Sequence, residues 1–106
     1  MSDRISFIVR LPAKPGHVEE LKKGLLFVTD QMANEPDFVT TWIHHPVDDP
    51  DTIVLYETWD CSMEYFMSHH MKASYRADYE AVLSKVLRTE RSFEFLVPFK
   101  EYPKAT

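Results

Sequence analysis

The sequence holds one cysteine, Cys61, and two glycines, Gly16 and Gly24, in 106 residues. A lone cysteine excludes an intrachain disulfide and points to a reducing compartment. Two isolated glycines exclude a Gly-rich phosphate loop, and with it nucleotide cofactors of the Rossmann or P-loop kind. Basic residues are outnumbered, 12 Lys and Arg against 17 Asp and Glu, for a net charge of −5. No basic stripe exists to neutralise phosphates, which argues against a nucleic-acid partner. The opening MSDRISFIVRL carries Asp3 and Arg4 before a short alternating run. That reads as neither a signal peptide nor a membrane span. The expectation is a cytoplasmic chain with no membrane partner. Repeats and low-complexity tracts are also missing.

Hydrophobic residues make up 44% and charged residues 27%, the composition of an ordinary soluble globular protein. Seven Phe, five Tyr and two Trp are generous for this length and suit an aromatic interior or pocket. The length predicts one domain over residues 1–106, with a core at about 4–99 and a polar tail at 100–106. A domain of this size builds a core yet still gains from oligomerising.

In RISFIVRL, Ile5, Phe7, Val9 and Leu11 share one face, which predicts a half-buried strand stopped by Pro12. PAKPG follows as a turn in which Gly16 is free to take positive φ. Val18, Leu21, Leu25, Val28 and Met32 recur at helical spacing and form one stripe. Pro36 disfavours helix at Glu35 and ends that element. DFVTTWIHH and TIVLYETW read as two strands of a hairpin joined by PVDDPDT. Asp60 is a credible N-cap for a second helical region reaching about Arg88, broken near Lys72 to Ser74 where the apolar phase changes. SFEFLVPF predicts a fourth strand, with Phe93, Phe95, Val97 and Phe99 alternating.

The order βαββαβ predicts an α+β, ferredoxin-like fold: a four-stranded antiparallel sheet with both helices on one face. The other face carries Ile8, Val54, Tyr56 and Leu96 rather than polar residues. An uncovered apolar face needs a partner, and two copies packed sheet to sheet satisfy it. The expectation is a homodimer, in the form of a dimeric α+β barrel.

The stretch LYETWDCSMEYFMSHH concentrates the candidate chemistry. Glu57 shares its strand face with Ile53, Leu55 and Trp59, where an ionised carboxylate is costly unless paired. It either pairs with Arg10 or backbone amides, or has its pKa raised for acid–base work. His69 falls on the helical stripe of Phe66, where an imidazole either orients a phenolic hydroxyl or sits as a satisfied core residue. His70, about 100° further round the helix, is expected to face outward. Phe7, Trp42, Trp59, Phe66, Tyr75, Tyr79, Phe93 and Phe95 form either core or the wall of a site for a flat ligand. No HxxxH, HxH or Cys–His cluster appears, and neighbouring His44 and His45 point to opposite faces of a strand, so no metal site is expected.

LPAKPGHVEELKKGL, NEPDFVTTWIHHPVDDPDTIVLYETW and FMSHH together resemble the antibiotic biosynthesis monooxygenase family of dimeric α+β-barrel proteins, over residues 5 to about 99. The family's Glu-x-Trp is matched by Glu57-Thr58-Trp59, and its helical histidine by His69, one residue further from Glu57 than usual. Its common glycine after "EP" is replaced by Asp37-Phe38. The resemblance implies a cofactor-independent monooxygenase that oxidises a small aromatic quinol or polyphenol with dioxygen. It implies Trp59 and His69 at pocket positions between the sheet and the helices, with Glu57 matching the motif, and these three are the expected catalytic residues. Phe7 and Val9 of the first strand are expected to bind the substrate. Phe66 and, from the helical periodicity alone, Tyr75 and Tyr79 complete the expected substrate wall. A related branch degrades haem, but its Asn, Trp and His positions hold Val9, His69 and Tyr79 here. The alternative to an enzyme is a non-catalytic dimeric ligand-binding or stress-response module of the same fold.

Overall fold

The computed structural model describes residues 4–105; Asp3 of the opening stretch and Thr106 of the tail lie outside the described residues. Strand β1 (Ile5–Pro12) leads into helix α1 (Val18–Met32), then strands β2 (Phe38–His44) and β3 (Thr52–Trp59). Helix α2 (Met63–Ser68), two 3-10 turns (His70–Lys72 and Ser74–Arg76) and helix α3 (Ala77–Val86) precede strand β4 (Ser92–Leu96). The four strands run in the order β2-β3-β1-β4, every neighbouring pair antiparallel. This is the ferredoxin-like arrangement expected from the element order.

Register aligns the apolar parity of each strand. Ile5, Phe7, Val9 and Leu11 lie opposite Trp59, Glu57, Leu55 and Ile53, while Phe95 and Phe93 flank Phe7 and Val9 on the other side. That face receives Leu21, Leu25, Val28 and Met32 of α1 and Tyr79, Leu83 and Val86 of α3, all buried. Gly16 takes the expected positive φ, 82°, in the turn before α1. The interruption expected near Lys72 to Ser74 falls at Ala73, whose extended backbone (φ −60°, ψ 139°) separates the two 3-10 turns.

Two boundaries differ from the sequence reading. The cap of α2 is Ser62, whose hydroxyl accepts the Tyr65 N–H at 3.1 Å. Asp60 instead gives its backbone N–H to the Asp37 carbonyl at 2.7 Å, tying the loop after α1 to the corner after β3. Strand β4 stops at Leu96, leaving Val97 and Phe99 exposed. Pro98 has no N–H to extend the ladder and biases the residue before it.

The opposite face of the sheet keeps its apolar character. Tyr56 is 40% exposed and Trp42 64%, and Ile8, Val54 and Leu96 are only partly covered. Trp42 therefore belongs to this outer surface and not to an interior wall, because it pairs with Tyr56 across the hairpin. No helix among the described residues is long and apolar enough to cross a membrane.

Candidate functional site

Glu57 sits on the inner face of β3, between Phe7 of β1 and Thr41 of β2, and is 6% exposed. Trp59 stands two residues on, hence on the same face. Its indole Nε1–H donates to Glu57 Oε1 at 3.0 Å. The expected partner Arg10 lies on the other side of the sheet, opposite Val54. Burial raises the pKa of Glu57, and the indole hydrogen bond and the charge of Arg76 only partly offset that.

Arg76 comes from the second 3-10 turn and is itself buried. Its Nη2 donates to Glu80 at 3.1 Å, its Nη1 lies 3.6 Å from Met32 Sδ, and its Nε is buried without a partner. Arg91 grips the same Glu80 carboxylate with two bonds, at 2.9 and 2.6 Å. Burial alone would raise the Glu80 pKa, but the hydrogen bonds and charges of Arg91 and Arg76 hold it below the ordinary value. Because the folded value is depressed, this stabilisation is present above the unfolded pKa and is lost as pH falls through the folded one. Glu80→Gln is expected to cost about 1–3 kcal/mol, reduced from the fully buried case because Glu80 is partly exposed. Denaturation curves across the acid range should show the wild-type advantage shrinking towards low pH; a constant offset would contradict the assignment.

Glu57 and Arg76 face a small interior cavity of about 20 Å³, walled also by Val9, Phe66, Met71 and Tyr79. That is room for a water molecule and far short of an aromatic ring. Three of the expected substrate-wall residues, Val9, Phe66 and Tyr79, line it. Phe7 does not: it is fully buried in core, 4.7 Å from Phe66 and 5.0 Å from Phe95 between ring centroids. Tyr75 is also off the cavity, its hydroxyl donating to Glu35 Oε2 at 2.9 Å. Burial first, then the bond to Glu35 and its charge, push that phenol up to about 12.

The histidine pair is reversed from the sequence reading. His69 is exposed and stacks on Tyr65 at 4.7 Å, whereas His70 is 2% exposed and lies 4.3 Å from the Trp59 ring. Helix α2 ends at Ser68, and both the third and fourth residues beyond Phe66 can reach its face. Tertiary pairing selects between them: His70 Nε2 meets Asp37 Oδ2 at 3.0 Å, and its Nδ1 is 3.9 Å from Glu35 Oε2. Glu57, Trp59 and His69 therefore do not share a cavity. Glu57 lines it, Trp59 is buried behind, and His69 lies outside.

The sequence places His70 outward and marks neither Arg76 nor the acids Glu35 and Asp37 as functional. The acids flank Pro36 and looked like a helix stop, and 33 residues separate Asp37 from His70. Arg76 did carry a signal, a lone cation inside the aromatic run SYRADY. Cys61, just before the α2 cap, is a half-buried thiol pushed up to about 11 by burial and by the charges of Asp37 and Asp60. The helix start does not activate it.

Residues 4–81 match the family model for antibiotic biosynthesis monooxygenases. The chain belongs to the antibiotic biosynthesis monooxygenase family. Solved structures agree at the level of fold. A protein from Nitrosomonas europaea named for the same family superposes with TM-score 0.83 at 19% identity, covering 99% of this chain and 97% of its own. A conserved protein from Methanosarcina mazei Go1 gives 0.80 at 16%, covering 89% and 91%. SnoaB, a cofactor-independent oxygenase from Streptomyces nogalater, gives 0.79 at 14%, covering 97% and 100%. At such identities the likeness establishes the fold and not the reaction. No curated protein matches the sequence significantly.

Proposed function

We propose that this family member is a monooxygenase that oxidises a small aromatic quinol or polyphenol with dioxygen, using no cofactor. The observation that carries the reading is Glu57: a buried acid of raised pKa on a cavity wall, held in place by the Trp59 indole. A carboxylate whose pKa is raised is a stronger proton acceptor for a phenol. The resulting phenolate gives one electron to dioxygen; radical and superoxide then combine at a ring carbon that bears a hydrogen. The peroxide anion so formed takes back the proton held by Glu57 to become a hydroperoxide. Loss of water from that hydroperoxide leaves the carbonyl product. Arg76 lines the same cavity, and its unpartnered Nε is the donor assigned in this reading to the phenolate oxygen.

The reading requires the cavity to open. Met71 and Arg76 both belong to the 3-10 turns, which hold fewer regular hydrogen bonds than a helix and are the natural part to move. Oxygen uptake with a panel of hydroquinones and anthrone-like phenols in metal-free buffer tests it. Uptake lost in Glu57→Gln but kept in His69→Ala supports the site; no uptake across the panel sinks it. The closed cavity favours one second reading, a binding module without turnover. A phenol that raises the melting temperature with no product formed would select that reading. Haem is a poor fit to the same space.

The outer sheet face carries the proposal of a homodimer, packed through Ile8, Trp42, Val54, Tyr56 and Leu96. Placing a charge in that interface should dissociate it. Light scattering on Tyr56→Asp is expected to give a monomer from a wild-type dimer. An unchanged mass would remove this face as the contact.

A further inference from the structure

The geometry points to a site for a borderline-soft divalent cation of the Zn²⁺ class, formed by Asp37, Cys61 and His70. One donor atom of each lies within 4.8 Å of the other two. Ligands around a tetrahedral zinc stand roughly 3.3–3.8 Å apart, from bond lengths of about 2.0–2.3 Å. Only small side-chain adjustments separate the two arrangements. Carboxylate, thiolate and imidazole together are a donor set that suits zinc and cobalt and is poor for magnesium or calcium.

Two further observations describe the polar groups around the cluster. His70 is 2% exposed, yet its Nδ1 has no hydrogen-bond partner. Asp60 Oδ1, on the residue adjoining Cys61, is buried and equally unpartnered. Glu35 and Asp37 approach the same histidine, and no Lys or Arg pairs with Glu35, Asp37 or Asp60 among the described residues. With a cation on Nε2, the Nδ1–H faces the Glu35 carboxylate, the outer-shell arrangement that commonly fixes a ligating imidazole. Asp37 is a third exposed, which gives the ion a path from solvent.

The three ligands come from three separate segments: the loop after α1, the corner after β3 and the first 3-10 turn. A bound cation ties them together beside Trp59 and clamps the turn carrying Met71. Its role is structural, independent of any redox step in the neighbouring cavity.

The test is a Co²⁺ titration of the untagged, chelator-treated full chain. Expected are one ion per chain, a thiolate-to-cobalt charge-transfer band in the near ultraviolet, displacement by Zn²⁺, and a higher melting temperature with Zn²⁺. Cys61→Ser should abolish the band and weaken Zn²⁺ binding at least tenfold, and His70→Gln should weaken it similarly. The His44→Gln/His45→Gln double variant should bind as wild type. Absence of the band at saturating Co²⁺ overturns the site. So does Zn²⁺ affinity that survives Cys61→Ser but falls in the double variant, which would place the ion on the surface histidines. Cys61 is half-buried and Ser is smaller, so the decisive variant is expected to fold; circular dichroism verifies it.

Discussion

Trp59→Ala is expected to lower the unfolding free energy by about 3–5 kcal/mol, the range for emptying a large buried aromatic site. Trp59 is 0% exposed and packs edge-on against Phe38 and Phe66, with ring centroids 5.3 and 5.2 Å away, and on His70 at 4.3 Å. The substitution removes this packing and also leaves Glu57 Oε1 without its donor. Trp59→Phe separates the two losses. It keeps most of the packing and should cost about 1–3 kcal/mol for the unsatisfied buried acid. Urea denaturation measures both, with a lowered midpoint at unchanged m. A loss under about 1 kcal/mol for the alanine variant would mean the site collapses around the vacancy and the indole anchors nothing.

On the proposed oxygenase reading, Glu57→Gln is expected to reduce turnover of the phenol substrate roughly 10²–10⁴-fold, the usual worth of a positioned general base. Stability should move the other way. Burial raises the pKa of Glu57 in the folded state, so its contribution is fully present below the unfolded pKa and is lost as pH rises through the folded one. At neutral pH the wild type therefore carries a cost that the neutral glutamine lacks, while the amide oxygen still accepts the Trp59 N–H. The variant should be at least as stable as wild type at neutral pH, and its advantage should shrink as the solution is acidified. Paired rate and denaturation measurements across pH distinguish this from misfolding. A variant both inactive and destabilised would make Glu57 a structural acid.

The contrast between Glu57 and His69 shows where sequence reasoning reaches. Glu57 was placed on the correct face because a strand alternates strictly and its neighbours Ile53, Leu55 and Trp59 declare the buried parity. Of the alternatives the sequence leaves open for it, Arg10, backbone amides or a raised pKa, register removes Arg10 to the far side of the sheet. The structure pairs the carboxylate with the Trp59 indole, while burial raises its pKa. For the histidines, helical phase puts His69 on the Phe66 stripe and His70 outward, and the structure reverses them. The 33-residue jump to Asp37 decided it. The same kind of jump hid the Asp37, Cys61 and His70 cluster, which has no local spacing to announce it.

By itself the sequence determined the element order, the apolar faces, the interruption near Ala73 and the family, since these follow from short-range periodicity and contiguous motifs. Tertiary structure alone decided that Arg76 joins Glu57 at one cavity, that Phe7 and Tyr75 lie off its wall, and that His70 is the buried imidazole. Those outcomes rest on side chains brought together from different segments, where a shift of one residue changes which polar group must be paired on burial.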